Sequence, residues 1–343
     1  MLDTDVDEAI RVEGLVKNFG SLTAVDGISF TVKRGEIFGI LGPNGAGKTT
    51  TLEIIEGLLK PTQGSVSVLG LNVFKEPKQV KARIGVQLQS SAYYDYLTLN
   101  EILVLLGSFY PKRVSPGELL AQVGLSDKAN NRVNQLSGGQ KQRFTVASSL
   151  VNDPELVILD EPTTGLDPLA RRNLWALIQD IHQRGVTVVM TTHYMEEAEA
   201  LCQRLAIMDH GRLVAVDSPR NLINQLDASY TVKLVVTNPL TEAQVASLNG
   251  GVEVIQAAEG NAYLLRMQNS PKALGTLLEE INRSEISLEH LEVTPVTLED
   301  VFLELTGSEL RDGPCSSWSS PTSRCWPATG KQRSSQFSFH CSW

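Results

Sequence analysis

Residues 42–49, with the sequence GPNGAGKT, constrain the fold of this chain more than any other segment. They satisfy the pattern G-x-x-x-x-G-K-[ST], and they lie between a predicted strand at residues 36–41 and a predicted helix at residues 49–59. The helix repeats apolar residues at the spacing of one helical face and ends before Pro61. This order predicts an α/β sheet with an anion site where the helix begins.

The glycine-rich loop is suited to hold the phosphates of ATP together with Mg²⁺. Glycines allow unusual backbone dihedrals, and they let backbone N–H groups approach phosphate oxygens closely. We expect Lys48 to bridge the β- and γ-phosphates and the Thr49 hydroxyl to bind Mg²⁺. An ordinary glycine turn is the alternative, and the flanking strand and helix argue against it. The predicted nucleotide-binding residues here are Gly42, Pro43, Asn44, Gly45, Ala46, Gly47, Lys48, Thr49 and Thr50.

Two carboxylates end a second apolar strand. Residues 156–160 read LVILD, and Glu161 follows directly. Ligands bind at the carboxyl ends of strands in open α/β sheets, so we expect Asp160 to hold Mg²⁺ through its water shell. We expect Glu161 to polarise the attacking water. A strand that simply ends in solvated acids is the alternative interpretation.

Residues 136–140, LSGGQ, lie about 20 residues before that strand, and a generic P-loop enzyme has no need of them. This segment resembles the signature of the ATP-binding cassette (ABC) family. A serine and two glycines opening a helix form a second anion site, although such a start is often only an N-cap. The resemblance implies a head-to-tail dimer, in which each signature completes the partner's ATP site. The residues that it assigns to nucleotide binding are Ser137, Gly138, Gly139 and Gln140.

Four further positions match the family in order. Gln89 resembles the glutamine that senses Mg²⁺ and the membrane partner, and Gln87 is a nearby rival. Asp167, in GLDP, resembles the D-loop at the dimer seam, and it also suits a helix N-cap. His193 resembles the switch histidine that contacts the γ-phosphate and orients Glu161, although a histidine at a strand end is more often structural. Phe19 takes the place of the aromatic that stacks on adenine, with core packing as the alternative.

The resemblance implies an α/β P-loop NTPase cassette over residues 8–226, with an antiparallel β subdomain and a helical subdomain at about residues 90–135. Residues 230–307 predict an accessory α+β domain, because strand-helix-strand-strand-helix-strand is the ferredoxin-like order. Within it, residues 297–307 resemble the end of cassette subunits from bacterial drug and antibiotic exporters of the daunorubicin-resistance type. Residues 308–343 are rich in Ser, Trp and Cys and predict a disordered tail, with a shifted reading frame or a cloning artefact as its origin.

The composition limits where such a protein can act. No stretch approaches the roughly 18 apolar residues that a membrane helix needs, and the first ten residues do not form a targeting segment. The net charge of −9 argues against general nucleic-acid binding. Only one of the four cysteines, Cys202, lies before the predicted tail, which is typical of a reducing compartment. We therefore expect the cytoplasmic face of the cell membrane, reached through a permease.

The partners follow from the resemblance. They are a second copy of the chain or a homologous cassette, and an integral membrane permease subunit that binds the transported substrate, which this chain does not bind. Residues 90–99, SSAYYDYLTL, resemble the region that grips the permease, although Tyr93, Tyr94 and Tyr96 also suit a core. The alternative functions are a non-transport ABC ATPase and a nucleotide-dependent regulator without turnover.

Overall fold

The computed structural model describes residues 8–87, 93–226, 230–248, 252–258, 261–267 and 271–306. The strands are β1 (Glu8–Phe19), β2 (Leu22–Lys33), β3 (Ile37–Leu41), β4 (Gln63–Val68), β5 (Leu71–Asn72), β6 (Ile84–Gln87), β7 (Leu156–Leu159), β8 (Thr187–Thr192), β9 (Arg204–Asp209), β10 (Arg212–Asp217), β11 (Tyr230–Val236), β12 (Val252–Ala258), β13 (Ala262–Met267) and β14 (Leu288–Pro295). The helices are α1 (Lys48–Ile55), α2 (Pro77–Arg83), α3 (Leu99–Gly107), α4 (Pro116–Gln122), α5 (Gly138–Ser149), α6 (Pro168–Gln183), α7 (Met195–Leu201), α8 (Pro219–Asn224), α9 (Glu242–Leu248), α10 (Pro271–Arg283) and α11 (Leu298–Thr306).

The central sheet has six strands in the order β10-β9-β3-β8-β7-β6. The pairs β9–β3, β3–β8, β8–β7 and β7–β6 are parallel, and β10 joins the edge antiparallel to β9. Strands β3, β7 and β8 are buried at every position because both faces of the sheet are covered. The pairing places the carboxyl ends of β3, β8, β7 and β6 side by side along one edge.

A second sheet packs against this one. Its order is β2-β1-β4-β5, and its pairs are antiparallel. Apolar residues from it share one core cluster with α1 and with one face of the central sheet, including the stacked rings of Phe30 and Phe38 at 5.5 Å. The predicted α/β class with an antiparallel subdomain is therefore confirmed.

Helices α3 and α4 form the insertion between β6 and α5. Helix α3 begins with a complete capping box, in which Thr98 and Glu101 satisfy each other's backbone N–H groups. Tyr93 lies before this helix, and its ring packs on Phe144 of α5 at 5.3 Å. Tyr94 and Tyr96 are 70% and 83% exposed. Of the three tyrosines considered from the sequence, one therefore packs in the core and two face solvent.

Strands β11–β14 form a third, antiparallel sheet in the order β12-β13-β11-β14. With α9 and α10 in their places along the chain, this is the ferredoxin-like order that the sequence predicts. Apolar residues of β11 and β13 pack with Leu248 of α9 and with Leu277 and Ile281 of α10 in a core of their own.

Helix α11 lies between this third sheet and the cassette. Phe302 is fully buried and belongs to the same core cluster as Leu201 of α7 and Leu222 of α8. On its other side, α11 is bound to the sheet by Thr231, whose hydroxyl donates to Asp300 at 3.1 Å, and by Arg266, which pairs with Glu304. The last described helix thus completes the cassette core.

Several elements were not expected from the sequence. The strands predicted at residues 36–41 and 156–160 and the helix predicted at residues 49–59 are present as β3, β7 and α1, and α1 ends at Ile55, whereas α2, α7, α8, β5, β9 and β10 had no prediction. The hairpin β9–β10 turns at His210 and Gly211. Histidine is not one of the residues that favour turns, so this pair gave only the signal of its glycine. No helix of the described ranges is long and apolar enough to cross a membrane. The predicted tail, residues 308–343, lies outside the described residues.

The buried position of Phe302 gives a stability prediction. Phe302→Ala removes a ring from a closed core and should lower the free energy of unfolding by about 3–5 kcal/mol. The thermal unfolding midpoint of the full chain measures this. Leu305 lies one turn further along α11 and is 42% exposed, so Leu305→Ala is the matched control and should stay within about 0.5 kcal/mol. Equal effects of the two changes would contradict the packing of α11 on the cassette.

Candidate nucleotide site

The loop of residues 42–49 leaves β3 and turns directly into α1. Gly47 is the N-cap of α1 with a φ of 97°, and a Cβ at this position would lie 2.4 Å from the carbonyl oxygen of Ala24. Both the left-handed backbone and the close approach require glycine. The N–H groups at the start of α1 have no side-chain cap, so they are available to an anion.

The Lys48 ammonium lies inside this loop. Its Nζ donates to the carbonyl oxygens of Gly42 at 2.8 Å and Pro43 at 3.1 Å, and it lies 3.3 Å from Oε1 of Glu161. Burial lowers the pKa of Lys48, while the neighbouring Glu161 carboxylate opposes this change. A buried cation surrounded by backbone dipoles is a site for a negatively charged oxygen.

Asp160 follows β7 and faces the loop. Its carboxylate is buried, and Oδ1 lies 3.5 Å from the hydroxyl of Thr49 at the start of α1. The Thr191 hydroxyl, from the neighbouring strand β8, donates a short hydrogen bond to the same oxygen. A carboxylate and a threonine hydroxyl at this separation are both oxygen donors, which is the ligand type that Mg²⁺ prefers.

Glu161 lies at the centre of the cluster. Its backbone has a φ of +45°, a left-handed conformation that costs a non-glycine residue roughly 1–3 kcal/mol, and its N–H donates to Oγ1 of Thr191 at 2.9 Å. His193 Nδ1 lies 3.4 Å from Oε1, within ion-pair distance, although the two atoms form no hydrogen bond of standard geometry. The His193 ring and the Lys48 ammonium, acting against burial, lower the pKa of Glu161 to about 2. Glu161 is therefore ionised at neutral pH.

The structure thus brings together Lys48, Thr49, Asp160, Glu161 and His193 at one edge of the central sheet. Thr191 is a member of the cluster that the sequence analysis missed. Its signal was a polar residue at the end of an apolar strand, VVMTT, where the carboxylates of the next strand must find hydrogen-bond donors.

The signature segment, residues 136–140, lies at a second place. Ser137 caps α5 in a capping box with Gln140, and a Cβ on Gly139 would lie 3.0 Å from the Cβ of Ala170 on α6. Asp167 caps α6 by accepting from the N–H of Ala170 at 2.9 Å. These residues line one cavity of about 470 Å³, whose described lining includes no residue of the P-loop. The P-loop and the signature segment of one chain therefore lie at two separate places, each at the start of a helix.

The remaining predicted residues differ in how they are placed. Phe19, at the end of β1, is 47% exposed, and the ammonium of Lys17 lies 4.9 Å from its ring centroid, so the ring is not part of a core. Gln87 ends β6 and is buried, and its Oε1 has no hydrogen-bond partner among the described residues. Gln89 lies outside the described residues, so its assignment stays a prediction.

Comparisons with known proteins identify the family of this chain. Residues 25–164 match the family model described as ABC transporter. The linearmycin resistance ATP-binding protein of Bacillus subtilis (strain 168) is 36% identical over 311 residues, which cover 88% of this chain and 100% of that protein. The Nod factor export ATP-binding protein I of Ralstonia nicotianae is 38% identical, covering 88% of this chain and 95% of that protein.

Solved structures give the same result for the fold. A solved ATP-binding subunit of an ABC transporter has a TM-score of 0.57 and 28% identity, covering 63% of this chain and 92% of that chain. A dimeric bacterial ABC transporter cassette has a TM-score of 0.56 and 28% identity, covering 61% of this chain and 98% of that chain. The resemblance identified from the sequence is confirmed: this chain belongs to the ABC transporter family, as one of its ATP-binding, ATP-hydrolysing subunits.

Proposed function

We propose that this chain energises a membrane exporter of drugs or antibiotics by binding and hydrolysing ATP. The observation that carries the proposal is the cluster of Lys48, Asp160, Glu161 and His193, on a chain that aligns with nearly the full length of two export or resistance subunits. Those two relatives act in linearmycin resistance and in Nod factor export. They favour export for this chain.

Lys48 and the start of α1 hold the triphosphate. The ammonium lies within reach of the loop carbonyls and of Glu161, so a phosphate oxygen that enters the loop meets a cation that is already buried. Thr49 would hold Mg²⁺ with its hydroxyl and Asp160 would hold it through the water shell of the ion; the two oxygens are 3.5 Å apart, and Thr191 fixes the carboxylate. When bound, Mg²⁺ neutralises charge on the phosphate oxygens.

Glu161 orients and polarises the attacking water. Its carboxylate is ionised, and it is held between the Lys48 ammonium at 3.3 Å and the His193 ring at 3.4 Å. A charged carboxylate in a fixed orientation accepts a strong hydrogen bond from a water molecule and so polarises it. His193 keeps Glu161 in place and lies where it can contact the γ-phosphate. Phe19 presents its exposed ring to the adenine base. Gln89 senses Mg²⁺.

The signature surface serves a second cassette. Ser137, Gly138, Gly139 and Gln140 open α5 beside Asp167, away from the Lys48 cluster of the same chain. Two copies arranged head to tail bring each signature onto the partner's nucleotide, so the dimer closes around two ATP molecules. A solved relative is a dimeric cassette in a post-hydrolysis state, bound to ADP and Pi.

The permease binds the helical insertion. Tyr94, Tyr96, Val104 and Phe109 are large apolar or aromatic side chains exposed in one short stretch of the chain. Next to it, Tyr110 and Leu58 line a cavity of about 250 Å³. Exposed aromatic residues beside a cavity are typical of protein interfaces.

Two rival functions have less support. A DNA-repair or chromosome-organising ATPase carries a long coiled coil or a zinc insertion between the P-loop and the signature. Here 88 residues lie between Lys48 and Ser137, and the described part of them holds short helices. A regulator without turnover has no use for the ionised Glu161 beside His193.

Replacing Glu161 tests hydrolysis. Glu161→Gln keeps the shape but removes the charge that activates water, so kcat for ATP hydrolysis should fall about 10²- to 10⁴-fold while ATP stays bound. Glu155→Gln is the matched control, because Glu155 precedes the same strand at its other end and pairs with Arg83 on the surface. Phosphate release and retained nucleotide are the measurements. Unchanged hydrolysis in Glu161→Gln would show that Glu161 does not act on the water.

The metal role of Asp160 predicts a changed magnesium dependence. Asp160→Asn removes the negative charge that this side chain offers the ion, so the Mg²⁺ concentration for half-maximal ATPase activity should rise about 10- to 100-fold. Asp153→Asn, three residues before β7 and paired with Lys112, serves as control. A magnesium titration of both variants gives the answer. A curve for Asp160→Asn that overlays that of the original chain would contradict the assignment.

The permease surface predicts a separable defect. Tyr96→Asp puts a charge on an exposed aromatic and should reduce co-purification with detergent-solubilised membrane protein at least tenfold, while ATPase activity of the purified chain stays unchanged. Leu278→Asp, an exposed apolar position on α10, is the control and should leave co-purification intact. If both variants co-purify equally well, the permease binds elsewhere.

A further inference from the structure

Glu197 is a fully buried carboxylate that the mechanism above does not use. It lies on α7, five residues after the end of β8. Its Oε1 accepts a hydrogen bond from the indole Nε1 of Trp175 on α6 at 3.0 Å. A buried carboxylate is costly unless its surroundings need it. The reason for its presence lies in what it joins.

The carboxylate of Glu197 is close to three segments that belong to the site. Trp175 is on the helix that Asp167 caps. Thr192 immediately precedes His193, and Thr163 follows Glu161 by two residues. Both threonine hydroxyls are near enough to lower the pKa of Glu197 against the dominant effect of burial, although Oε2 has no hydrogen bond of standard geometry. One side chain thus hydrogen-bonds to α6 and lies beside the loop after β7 and the end of β8.

A second contact braces the same loop. The guanidinium of Arg171 on α6 lies 4.2 Å from the ring centroid of Tyr194, and the Tyr194 ring lies 4.1 Å from that of His193. The N–H of Tyr194 donates to Oγ1 of Thr192 at 2.9 Å. The loop that carries His193 is therefore held from α6 on one side and from Glu197 on the other.

We propose that Glu197 is a positioning residue that fixes His193 against Glu161 and ties both to the helix at the dimer seam. This rests on the proposed role of His193. His193 Nδ1 and Glu161 Oε1 are already 3.4 Å apart, so a small shift of the loop that separates them further would end their interaction. Glu197 supplies the restraint, because it is hydrogen-bonded to α6 and is buried beside the segments that carry His193 and Glu161.

The proposal is tested by replacing Glu197 in the original chain and again in a chain that carries His193→Ala. Glu197→Ala should lower kcat for ATP hydrolysis about 10- to 100-fold and leave KM for ATP within about twofold, because only the arrangement around the water changes. In a His193→Ala background, the further loss from Glu197→Ala should be less than about twofold, since the residue acts through His193. Glu197→Gln, which keeps one acceptor for Trp175, should restore part of kcat and serves if the alanine variant fails to fold.

Glu36→Ala separates positioning from general stability. Glu36 is also buried and accepts from the N–H of Lys33 at 2.7 Å, but it lies at the opposite end of the central sheet. Glu36→Ala should lower the thermal unfolding midpoint and leave kcat for ATP hydrolysis within about twofold of the original value. An equal loss from Glu197→Ala with or without His193 would overturn the proposal, as would unchanged kcat. If His193→Ala alone costs no activity, the role of His193 is wrong and the positioning proposal falls with it.

Discussion

The site depends on the parallel pairing of β3, β8, β7 and β6. Parallel neighbours end at the same edge of a sheet, so the residues that follow these strands meet although they are far apart in sequence. Lys48, Asp160 and His193 come from three different strand ends. A shift of one residue in any pairing would turn side chains at the strand end to the opposite face. The apolar residues that bury both sheet faces therefore also set the geometry of the cluster.

Charge is the second constraint on this cluster. It concentrates a buried ammonium, two carboxylates and a histidine within a few ångströms. The ammonium and the imidazole keep Glu161 ionised, and Thr191 satisfies both the Asp160 carboxylate and the Glu161 N–H. The left-handed backbone at Glu161 indicates that the fold accepts strain to aim this side chain. The free-energy cost of this backbone conformation falls on the residue whose carboxylate must be held in a fixed orientation.

Much of this could be predicted from the sequence, since each part has a local signal. The glycine loop, the LVILD strand and the alternation of strands and helices identify the sheet and its active edge. Other parts have a weak local signal or none. Thr191 and Glu197 matter because of what lies beside them in space, and no single sequence shows that neighbourhood. The tyrosines of the insertion could not be assigned to core or surface for the same reason. Tyr93 and Tyr94 are adjacent in sequence, and the structure shows that the Tyr93 ring packs on Phe144 whereas Tyr94 is exposed.

The placement of α11 has a consequence for how the protein is made. Residues of the cassette on α7 and α8 leave the ribosome roughly 75 to 100 residues before Phe302, the ring that covers them. At about 5–20 residues per second, this apolar face stays uncovered for several seconds during each round of translation. A chain that stops early, near residue 226, would keep that face open and so be recognisable to chaperones and proteases. The apolar face is therefore covered after the whole cassette has been synthesised, when α11 has also been made.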